Sequence, residues 1–354
     1  MSAYKKRALI TGVTGQDGAY LAKFLLEKNY EVFGIVRRTS TPNFWRLQEL
    51  GVLNKITFVS ADLSDMSSLT EAIHQSNPDE IYNLAAHSFV GSSFNQPLYS
   101  AEVNGLAPLR ILEIVRNFNS KIKVYLASTS ELYGDSINES GFQDEKTPLK
   151  PNSPYALSKL FSHELSRIYR NAYGMFVSSG ILFNHESPIR GLEFVTRKIT
   201  NEVAKIKLGL SNELHLGNLD AKRDWGYSPD YVELMWKIMQ HHKPDDFVVA
   251  TGETHSVKDF VEEAFRTVGL DWKIHVRINP QHKRLYEVPL LKGDCSKAKR
   301  ELGWEPKTKF NELVKLMVEA DMKRWERSLK GESFAWDAIN HPEDVRYLYR
   351  AKDL

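Results

Sequence analysis

The chain has 354 residues, which is long for one compact core and suits one large domain or two merged domains. Hydrophobic residues make up 42% and charged residues 26%, a globular balance that excludes a disordered chain. The net charge of +2 provides no overall attraction for nucleic acid or for an acidic membrane. Cys295 is the single cysteine, so an internal disulfide is impossible and a cysteine-based metal site is not expected.

The sequence shows no sign of a membrane or export segment. No stretch approaches the ~18 uninterrupted apolar residues of a membrane helix, and residues 1–7 are too polar for a signal peptide. We therefore expect a soluble, cytoplasmic protein in a reducing compartment, with no membrane partner, no nucleic-acid partner and no bound metal.

Short apolar runs alternate with helix-period segments in the first half of the chain, as parallel strands and crossover helices do. The runs are rich in Val, Ile and Leu and do not alternate with polar residues, which is typical of strands buried on both faces. The predicted strands are residues 8–11, 32–36, 56–59, 81–84, 124–127 and 177–182. The sequence therefore predicts an α/β fold with a Rossmann-type, doubly wound parallel sheet.

The pattern loosens after about Asn184, where only residues 247–251 again resemble a buried strand. Ser256 can cap a helix that Gly269 ends, and apolar residues from Phe310 onward mark another helix. This half is expected to supply a smaller lobe over the carboxyl ends of the strands, where open α/β sheets bind ligands. The predicted division is a Rossmann domain at 1–184, joined by the strand near 247–251, a ligand-binding lobe mainly at 185–330, and a tail of unknown role at 331–354.

A glycine-rich turn follows the first predicted strand, and a helix is predicted to start near Tyr20. Glycines here let the backbone turn tightly and approach a pyrophosphate, whose charge meets the N–H groups at the start of the helix. The GxxGxxG spacing resembles the extended short-chain dehydrogenase/reductase family, and its place in a βαβ unit favours dinucleotide binding over a plain connection. The predicted cofactor contacts of this turn are Gly12, Gly15, Gln16, Asp17 and Gly18.

Arg37 and Arg38 follow the second predicted strand, where an NAD-specific site would place an acidic residue. A guanidinium group matches a 2′-phosphate, so the position favours NADP as the cofactor, with Arg37 as its contact. A solvated pair of arginines is the alternative.

The third and fourth predicted strands supply further cofactor positions. Asp62 and Leu63 lie where an adenine edge is expected, although Asp62 could equally cap the next helix. Leu84, Ala85 and Ala86 follow the fourth strand, and the small residues among them allow close approach to the cofactor.

A catalytic group is predicted from two segments. Tyr155 and Lys159 are four residues apart and share one helical face, so the lysine charge can lower the pKa of the phenol and make it a base. Thr129 and Glu131 follow the fifth strand and point to one face if the chain stays extended there. Tyr155 would take a proton from a sugar hydroxyl, with Thr129 holding the oxygen, while hydride passes to NADP⁺.

Glu131 is the additional element. Once a ketone forms at C4 of a sugar, the proton on C5 becomes acidic, and a positioned carboxylate can remove it so that water leaves from C6. The alternative is a carboxylate that faces solvent.

Long motifs make the chain similar to the GDP-mannose 4,6-dehydratases from about residue 8 to 322. These motifs include STSELYG at 128–134, SPYALSK at 153–159, GILFNHESP at 180–188, GNLDAKRDWG at 217–226 and GDCSKAKRELGW at 293–304. The resemblance implies an extended Rossmann domain with a nucleotide-sugar lobe and tightly held NADP. It further implies conversion of GDP-mannose to GDP-4-keto-6-deoxymannose, with the hydride from C4 returned to C6, by a homodimer or homotetramer.

The same resemblance assigns catalysis to Thr129, Glu131, Tyr155 and Lys159. It assigns nucleotide-sugar contacts to Ser88, Asn184, Lys198, Arg223, Arg284 and Glu287. Basic residues suit a diphosphate, although lone ones more often lie solvated on a surface.

The sequence departs from the family pattern at Ala85-Ala86-His87-Ser88, where Gly-Ala-Gln-Ser is expected, and at Ile189, which replaces the first residue of an arginine pair. His87 is therefore either a substrate contact or a structural residue. A pocket altered near His87 could accept a GDP-D-glycero-D-manno-heptose instead of GDP-mannose. The remaining alternatives are an epimerase or C4 reductase of the same fold, which would not need Glu131, and a noncatalytic NADP-sensing protein.

Overall fold

The computed structural model describes residues 4–279 and 288–338. The strands are β1 Arg7–Thr11, β2 Glu31–Val36, β3 Thr57–Ser60, β4 Glu80–Asn83, β5 Lys123–Ala127, β6 Val177–Leu182, β7 Asn184–Glu186, β8 Leu214–Leu216, β9 Lys222–Arg223, β10 Trp225–Tyr227, β11 Asp246–Val249, β12 His255–Ser256 and β13 Val276–Ile278. The helices are α1 Gln16–Glu27, α2 Trp45–Glu49, α3 Met66–Ser76, α4 Val90–Ser93, α5 Pro97–Ala101, α6 Ala107–Phe118, α7 Pro154–Tyr173, α8 Val195–Lys207, α9 Ser228–Gln240, α10 Val257–Thr267, α11 Trp272–His275, α12 Ser296–Leu302 and α13 Phe310–Leu329. A π-helical segment, Glu102–Leu106, joins α5 to α6, and short 3-10 turns lie at Leu53–Lys55 and Ser130–Tyr133.

Seven parallel strands form the main sheet in the order β3-β2-β1-β4-β5-β6-β11. The strand order reverses between β1 and β4, which is the switch point where such sheets bind ligands. Each of the seven predicted strands is present, with ends within two residues of those predicted, and the strand near 247–251 joins this sheet as β11. The predicted Rossmann-type α/β fold is confirmed.

Helices cover both faces of this sheet. On one face, α1 and α9 pack against alternate strand residues such as Ile10 and Tyr125, and on the other face α3, α6 and α7 pack against Leu9 and Val124. Because each strand buries both faces, its sequence is continuously apolar. Helix α9 comes from the second half of the chain, so that half also contributes to the Rossmann layer.

The smaller lobe has its own core between α8, α10 and α13, with Val203, Phe260 and Val314 fully buried there. Helix α10 begins with a capping box between Ser256 and Asp259, and the predicted helices α10 and α13 are both confirmed. One boundary was wrong: α1 begins at Gln16 rather than near Tyr20, because Gly15 already occupies its N-cap position. Within residues 4–279 and 288–338, no helix combines the length and apolar character needed to span a bilayer.

Candidate active site

A cleft of about 780 Å³ opens at the carboxyl ends of the central strands, beside the switch point between β1 and β4. The turn after β1, the ends of β2 to β5 and the start of α7 form its walls. All the predicted cofactor and catalytic residues line it, together with two predicted substrate contacts, Ser88 and Asn184. The fold thus brings together residues that are up to about 170 positions apart in the chain.

The glycine turn is tight because backbone atoms fill the space that a side chain would need. Gly12 has φ +71°, and a Cβ atom there would lie 2.7 Å from the backbone nitrogen of Ala85. A Cβ atom on Gly18 would lie 2.2 Å from the carbonyl oxygen of Gly12 and 2.6 Å from Cα of Val13. The start of α1 therefore packs directly on the turn, with its first N–H groups at the cleft, an arrangement that suits an anion such as a pyrophosphate.

Thr11, which sequence reasoning did not single out, joins the ends of β1 and β4. Its hydroxyl donates to Oδ1 of Asn83 at 2.8 Å and accepts from the backbone nitrogens of Leu84 and Ala85, each at 3.1 Å. This buried hydroxyl holds Ala85 against the glycine turn.

The Asp17 carboxylate accepts hydrogen bonds from His185 Nε2 at 2.7 Å, from Ser228 at 2.8 Å and from Gln16 at 3.1 Å. His185 Nδ1 lies 2.7 Å from the carbonyl oxygen of Phe183, which can only accept, so Nδ1 donates there while Nε2 faces the Asp17 carboxylate. Burial acts to lower the pKa of His185, but the Asp17 charge outweighs it and raises that pKa. The carboxylate thus ties α1 to β7, and its contact with a cofactor stays a prediction.

Arg37 and Arg38 are exposed at the rim of the cleft, and neither makes a hydrogen bond or ion pair with a described residue. Asp62, which lines the same cleft, accepts from the backbone nitrogen of Ser64 at 2.9 Å and from its hydroxyl at 2.7 Å. These two bonds lower the pKa of Asp62, and the Arg37 charge adds to the effect. The alternative that Asp62 caps the next helix is wrong, because Asp65 caps α3.

Tyr155 and Lys159 lie one turn apart on α7, and both side chains are buried at the cleft. The Tyr155 hydroxyl forms a hydrogen bond with the side chain of Thr129, and Lys159 Nζ donates to the carbonyl oxygen of Ala127 at 2.8 Å. The chain does not stay extended after Thr129 as expected: the 3-10 turn begins at Ser130, and the Thr129 hydroxyl accepts from the backbone nitrogen of Glu131 at 3.2 Å. Even so, the half-buried Glu131 lines the same cleft.

Burial raises the pKa of Tyr155 to about 12, while its bond to Thr129 and the charge of Arg190 act in the opposite direction. The charge of Glu131 acts to raise that pKa. Burial also lowers the pKa of Lys159 to about 8. Arg190 is the cation whose charge acts to lower the pKa of the phenol, while the Lys159 amine donates to Ala127 and its own effect on the phenol stays a prediction.

Arg190 is a cleft residue whose function the sequence did not predict, although it closely follows the motif GILFNHESP. It lies in the loop after β7, with its Nε 3.1 Å from a carboxylate oxygen of Glu186 and its guanidinium carbon 3.5 Å from the ring centre of Phe194. Ser128 Oγ and Asn184 Oδ1 also line the cleft, and both are buried without a hydrogen-bond partner among the described residues. Buried polar atoms without partners are unfavourable, so these two suit contacts with a bound ligand.

His87 is a structural residue, so the hypothesis of a substrate contact is wrong. Its Nδ1 lies 2.8 Å from the hydroxyl of Ser100 and its Nε2 lies 2.7 Å from that of Ser92. Its backbone nitrogen donates to Asn104 at 2.9 Å, from the π-helical segment. Both ring nitrogens are thus occupied, and the ring is not part of the cleft wall.

The other predicted substrate contacts lie apart from this wall. Lys198 is half-buried on α8, and Arg223 is buried on β9, where it donates to the carbonyl oxygen of Lys222. Arg284 and Glu287 lie outside the described residues. The described part of the chain holds no group of three or more His, Cys, Asp or Glu side chains suited to a metal ion.

The fold and the cleft together define an extended short-chain dehydrogenase/reductase. The fold matches the UDP-glucose 4-epimerase of Thermus thermophilus, solved with NAD, at a TM-score of 0.78 and 25% identity over 89% of this chain and 98% of that one. It also matches the dTDP-glucose 4,6-dehydratase of Bacillus anthracis, with a TM-score of 0.78 and 22% identity over 91% and 98% of the two chains, a likeness of fold alone.

Sequence comparison identifies the family. The family model for GDP-mannose 4,6 dehydratase matches residues 9–317. GDP-mannose 4,6 dehydratase 1 of Arabidopsis thaliana is 51% identical over 329 residues, covering 90% of each chain. The human GDP-mannose 4,6 dehydratase is 47% identical over 341 residues, covering 89% of this chain and 91% of the relative. The chain belongs to the GDP-mannose 4,6-dehydratase family.

Proposed function

We propose that the protein converts GDP-mannose to GDP-4-keto-6-deoxymannose and uses NADP. The observation that carries the proposal is that Glu131, Tyr155 and Thr129 line one cleft, where the charge of Glu131 acts to raise the pKa of Tyr155. The names of the relatives at 47% to 51% identity support the same substrate.

The cleft fits a nicotinamide dinucleotide, which when bound would accept hydride from C4 of the sugar and return it to C6. The turn of Gly12, Gly15 and Gly18 and the start of α1 would hold the pyrophosphate, since no side chain blocks close approach there. Arg37 is free to pair with a 2′-phosphate, which favours NADP over NAD. Asp62, Leu63, Leu84, Ala85 and Ala86 would line the adenosine and ribose positions.

Tyr155 would take the proton from the C4 hydroxyl, and the Thr129 hydroxyl, which lines the same cleft, would donate a hydrogen bond to the C4 oxygen. Even with the Arg190 charge acting to lower it, the pKa of Tyr155 is about 12, which makes the free phenol a poor base near neutrality. The positive charge of an oxidised nicotinamide bound in the cleft would favour the tyrosinate further. Lys159 holds the end of β5 in place through the carbonyl oxygen of Ala127.

Glu131 would take the C5 proton after the C4 ketone has formed, and the C6 hydroxyl would leave as water after gaining a proton. Return of hydride to C6 would then be matched by a proton from solvent at C5. An epimerase or a C4 reductase has no need of a carboxylate at this position. The heptose alternative depended on an altered pocket at His87, and with that ring held by two serines it has no supporting observation.

We further propose that the sugar nucleotide extends from Ser88 and Asn184 in the cleft toward Lys198 and Arg223 in the lobe, with Arg284 and Glu287 as further contacts. On this proposal residues 1–184 with β11 bind the cofactor and residues 185–330 mainly bind the GDP-sugar.

A homodimer is the proposed assembly, with a homotetramer as the alternative. Helices α5 and α7 and the π-helical segment expose large apolar side chains that a monomer would leave in water. These are Leu98, Leu106, Leu157, Phe161 and Ile168, with Leu98 85% exposed. The single cysteine favours a cytoplasmic location, as expected from the sequence.

The test is incubation of the purified protein with GDP-mannose and NADP⁺, followed by mass spectrometry of the sugar nucleotide. The proposal predicts a product lighter by one water, with no net accumulation of NADPH. UDP-glucose serves as the control substrate and should remain unchanged. A C4 epimer of unchanged mass, or reduction that depends on added NADPH, would contradict the dehydratase assignment.

A further inference from the structure

The loop after β7 carries Arg190 into the cleft, and three arginines from three distant elements hold its backbone. Arg324 of α13 donates to the carbonyl oxygen of Pro188 at 2.8 Å, and Arg46 of α2 donates to that of Ile189 at 2.7 Å. Arg197 of α8 donates to the carbonyl oxygen of Arg190 itself at 2.9 Å. Three successive carbonyl groups are thus fixed by three guanidinium groups, which we call the three-arginine clamp.

The clamp surrounds the buried side chain of Trp45. The guanidinium carbons of Arg46, Arg324 and Arg197 lie 4.7, 5.7 and 5.9 Å from its ring centre. Cations at these distances are attracted by the indole ring. The ring therefore keeps three like charges together while their N–H groups remain directed at the loop.

Three carboxylates balance the charge of the clamp. Asp321, fully buried on α13, accepts from Arg197 Nε and lies 3.2 Å from Arg324. Glu49 lies 2.9 Å from Arg324, and Asp337 lies 3.9 Å from Arg46 and 3.6 Å from Arg197. The tail residue next to Asp337, Trp336, is buried against Trp325 of α13. The C-terminal helix and the start of the tail thereby reach the loop of the active site.

Such a cluster has a cost, since burying charges removes their hydration and apolar residues could join the same helices without it. Apolar residues could not, however, donate to the carbonyl oxygens at 188–190. The three guanidinium groups therefore fix the backbone of the loop at residues 188–190. The side chain of Arg190 is in turn held by Glu186 and by the ring of Phe194.

We propose that the three-arginine clamp is a positioning device that uses the C-terminal helix to hold Arg190 in the cleft that Tyr155 also lines. Arg46, Arg197 and Arg324 are positioning residues, because they act on the reaction only through the loop. The catalytic consequence rests on the proposed function, whereas the effect on the loop does not.

The charged groups around the phenol are Glu131, Asp17, Arg190 and, one turn along α7, Lys159. Of these only Arg190 depends on the clamp for the position of its backbone. Displacing Arg190 removes a cation that favours the tyrosinate, so the pH at which activity rises should move upward.

Arg324→Met tests the proposal, with Lys323→Met as the matched control. Lys323 is the neighbouring cation on α13, and its side chain is exposed. Hydrogen–deuterium exchange of the peptide spanning 187–194 is the first measurement, at a temperature well below the melting point of the variant. We expect at least a tenfold faster exchange in Arg324→Met and no change in Lys323→Met.

The pH dependence of kcat is the second measurement, made on the holoenzyme. In Arg324→Met the rising limb of the kcat profile should shift upward by roughly one pH unit relative to wild type, with a smaller change in KM. The double variant Arg324→Met/Arg190→Gln should show no further shift relative to Arg190→Gln alone. If Arg324→Met does not fold, Arg324→Lys replaces it, since a lysine keeps the charge beside Asp321 but cannot reach Pro188 and Glu49 together; faster exchange is again expected.

Unchanged exchange at 187–194 together with a lower melting temperature would overturn the proposal and leave the cluster a purely stabilising one. The proposal would also be overturned if Arg324→Met shifted the pH profile of Arg190→Gln as much as it shifts that of wild type. The exchange measurement needs no substrate, so a failure of the proposed function would leave this result intact, and the two failures can be distinguished.

Discussion

The exposed arginines at the end of β2 offer a direct test of the cofactor choice. We consider Arg37→Ala, Arg38→Ala and the double variant. A hydrogen bond to a charged group contributes about 1.5–3 kcal/mol, and screening by solvent at this exposed rim reduces the gain to roughly 1–2 kcal/mol. We therefore expect each substitution to weaken NADP⁺ binding about 5- to 30-fold, and to leave the weaker binding of NAD⁺ nearly unchanged.

Isothermal titration calorimetry with both nucleotides measures this difference. Lys55→Ala is the control, because Lys55 is also exposed but does not line the cleft. Neither arginine bonds to a described residue, so thermal stability should not change in either variant. The assignment of Arg37 to a 2′-phosphate would be refuted if the substitutions weakened the binding of NADP⁺ and NAD⁺ equally, or if the wild-type protein bound NAD⁺ more tightly than NADP⁺.

Three further predictions concern the turn, the buried lysine and the buried ion pair. Gly18→Ala places a methyl group 2.2 Å from the carbonyl oxygen of Gly12, so it should cost roughly 2 kcal/mol or more and abolish dinucleotide binding, whereas Gly15→Ala should be milder; calorimetry and urea unfolding compare them. Burial lowers the pKa of Lys159 from 10.5 to about 8. The buried charge therefore lowers the free energy of unfolding by up to about 3 kcal/mol below pH 8, and this destabilisation disappears as the pH rises to 10.5. Inactive Lys159→Met should therefore unfold at higher urea than wild type at pH 7, with a gap that narrows at pH 9.5; a constant gap would contradict this reasoning. Asp321→Asn removes the fully buried carboxylate that pairs with Arg197, leaving it only Asp337 at 3.6 Å, and should lower the free energy of unfolding by roughly 3–5 kcal/mol, while the exposed Glu319→Gln should not change it measurably.

The sheet and the glycine turn could be predicted from sequence because their signals are local. Strands such as β1 and β4 are buried on both faces, so they are apolar without interruption. The position of Gly12 between strand and helix follows from that pattern, and the spacing of Tyr155 and Lys159 follows from helix geometry alone.

The remaining features depend on residues that are distant in the chain. The position of Arg190 depends on donors from α2, α8 and α13, which no local pattern relates to one another. The sequence left the role of His87 open between two alternatives because its two serine partners become neighbours only once the helices after β4 are formed. The pKa of Tyr155 was misjudged since burial, which spacing does not show, outweighs the effect of nearby charges.

The central claim is that Glu131 removes the C5 proton, and the reaction of GDP-mannose in D₂O with wild type, Glu131→Gln and Glu139→Gln tests it most directly. Glu139 is an exposed carboxylate outside the cleft and serves as the control. The account predicts that wild type and Glu139→Gln yield dehydrated product with one deuterium at C5. It predicts that Glu131→Gln forms reduced nicotinamide but no dehydrated product. Deuterated, dehydrated product formed by Glu131→Gln at the wild-type rate would contradict it.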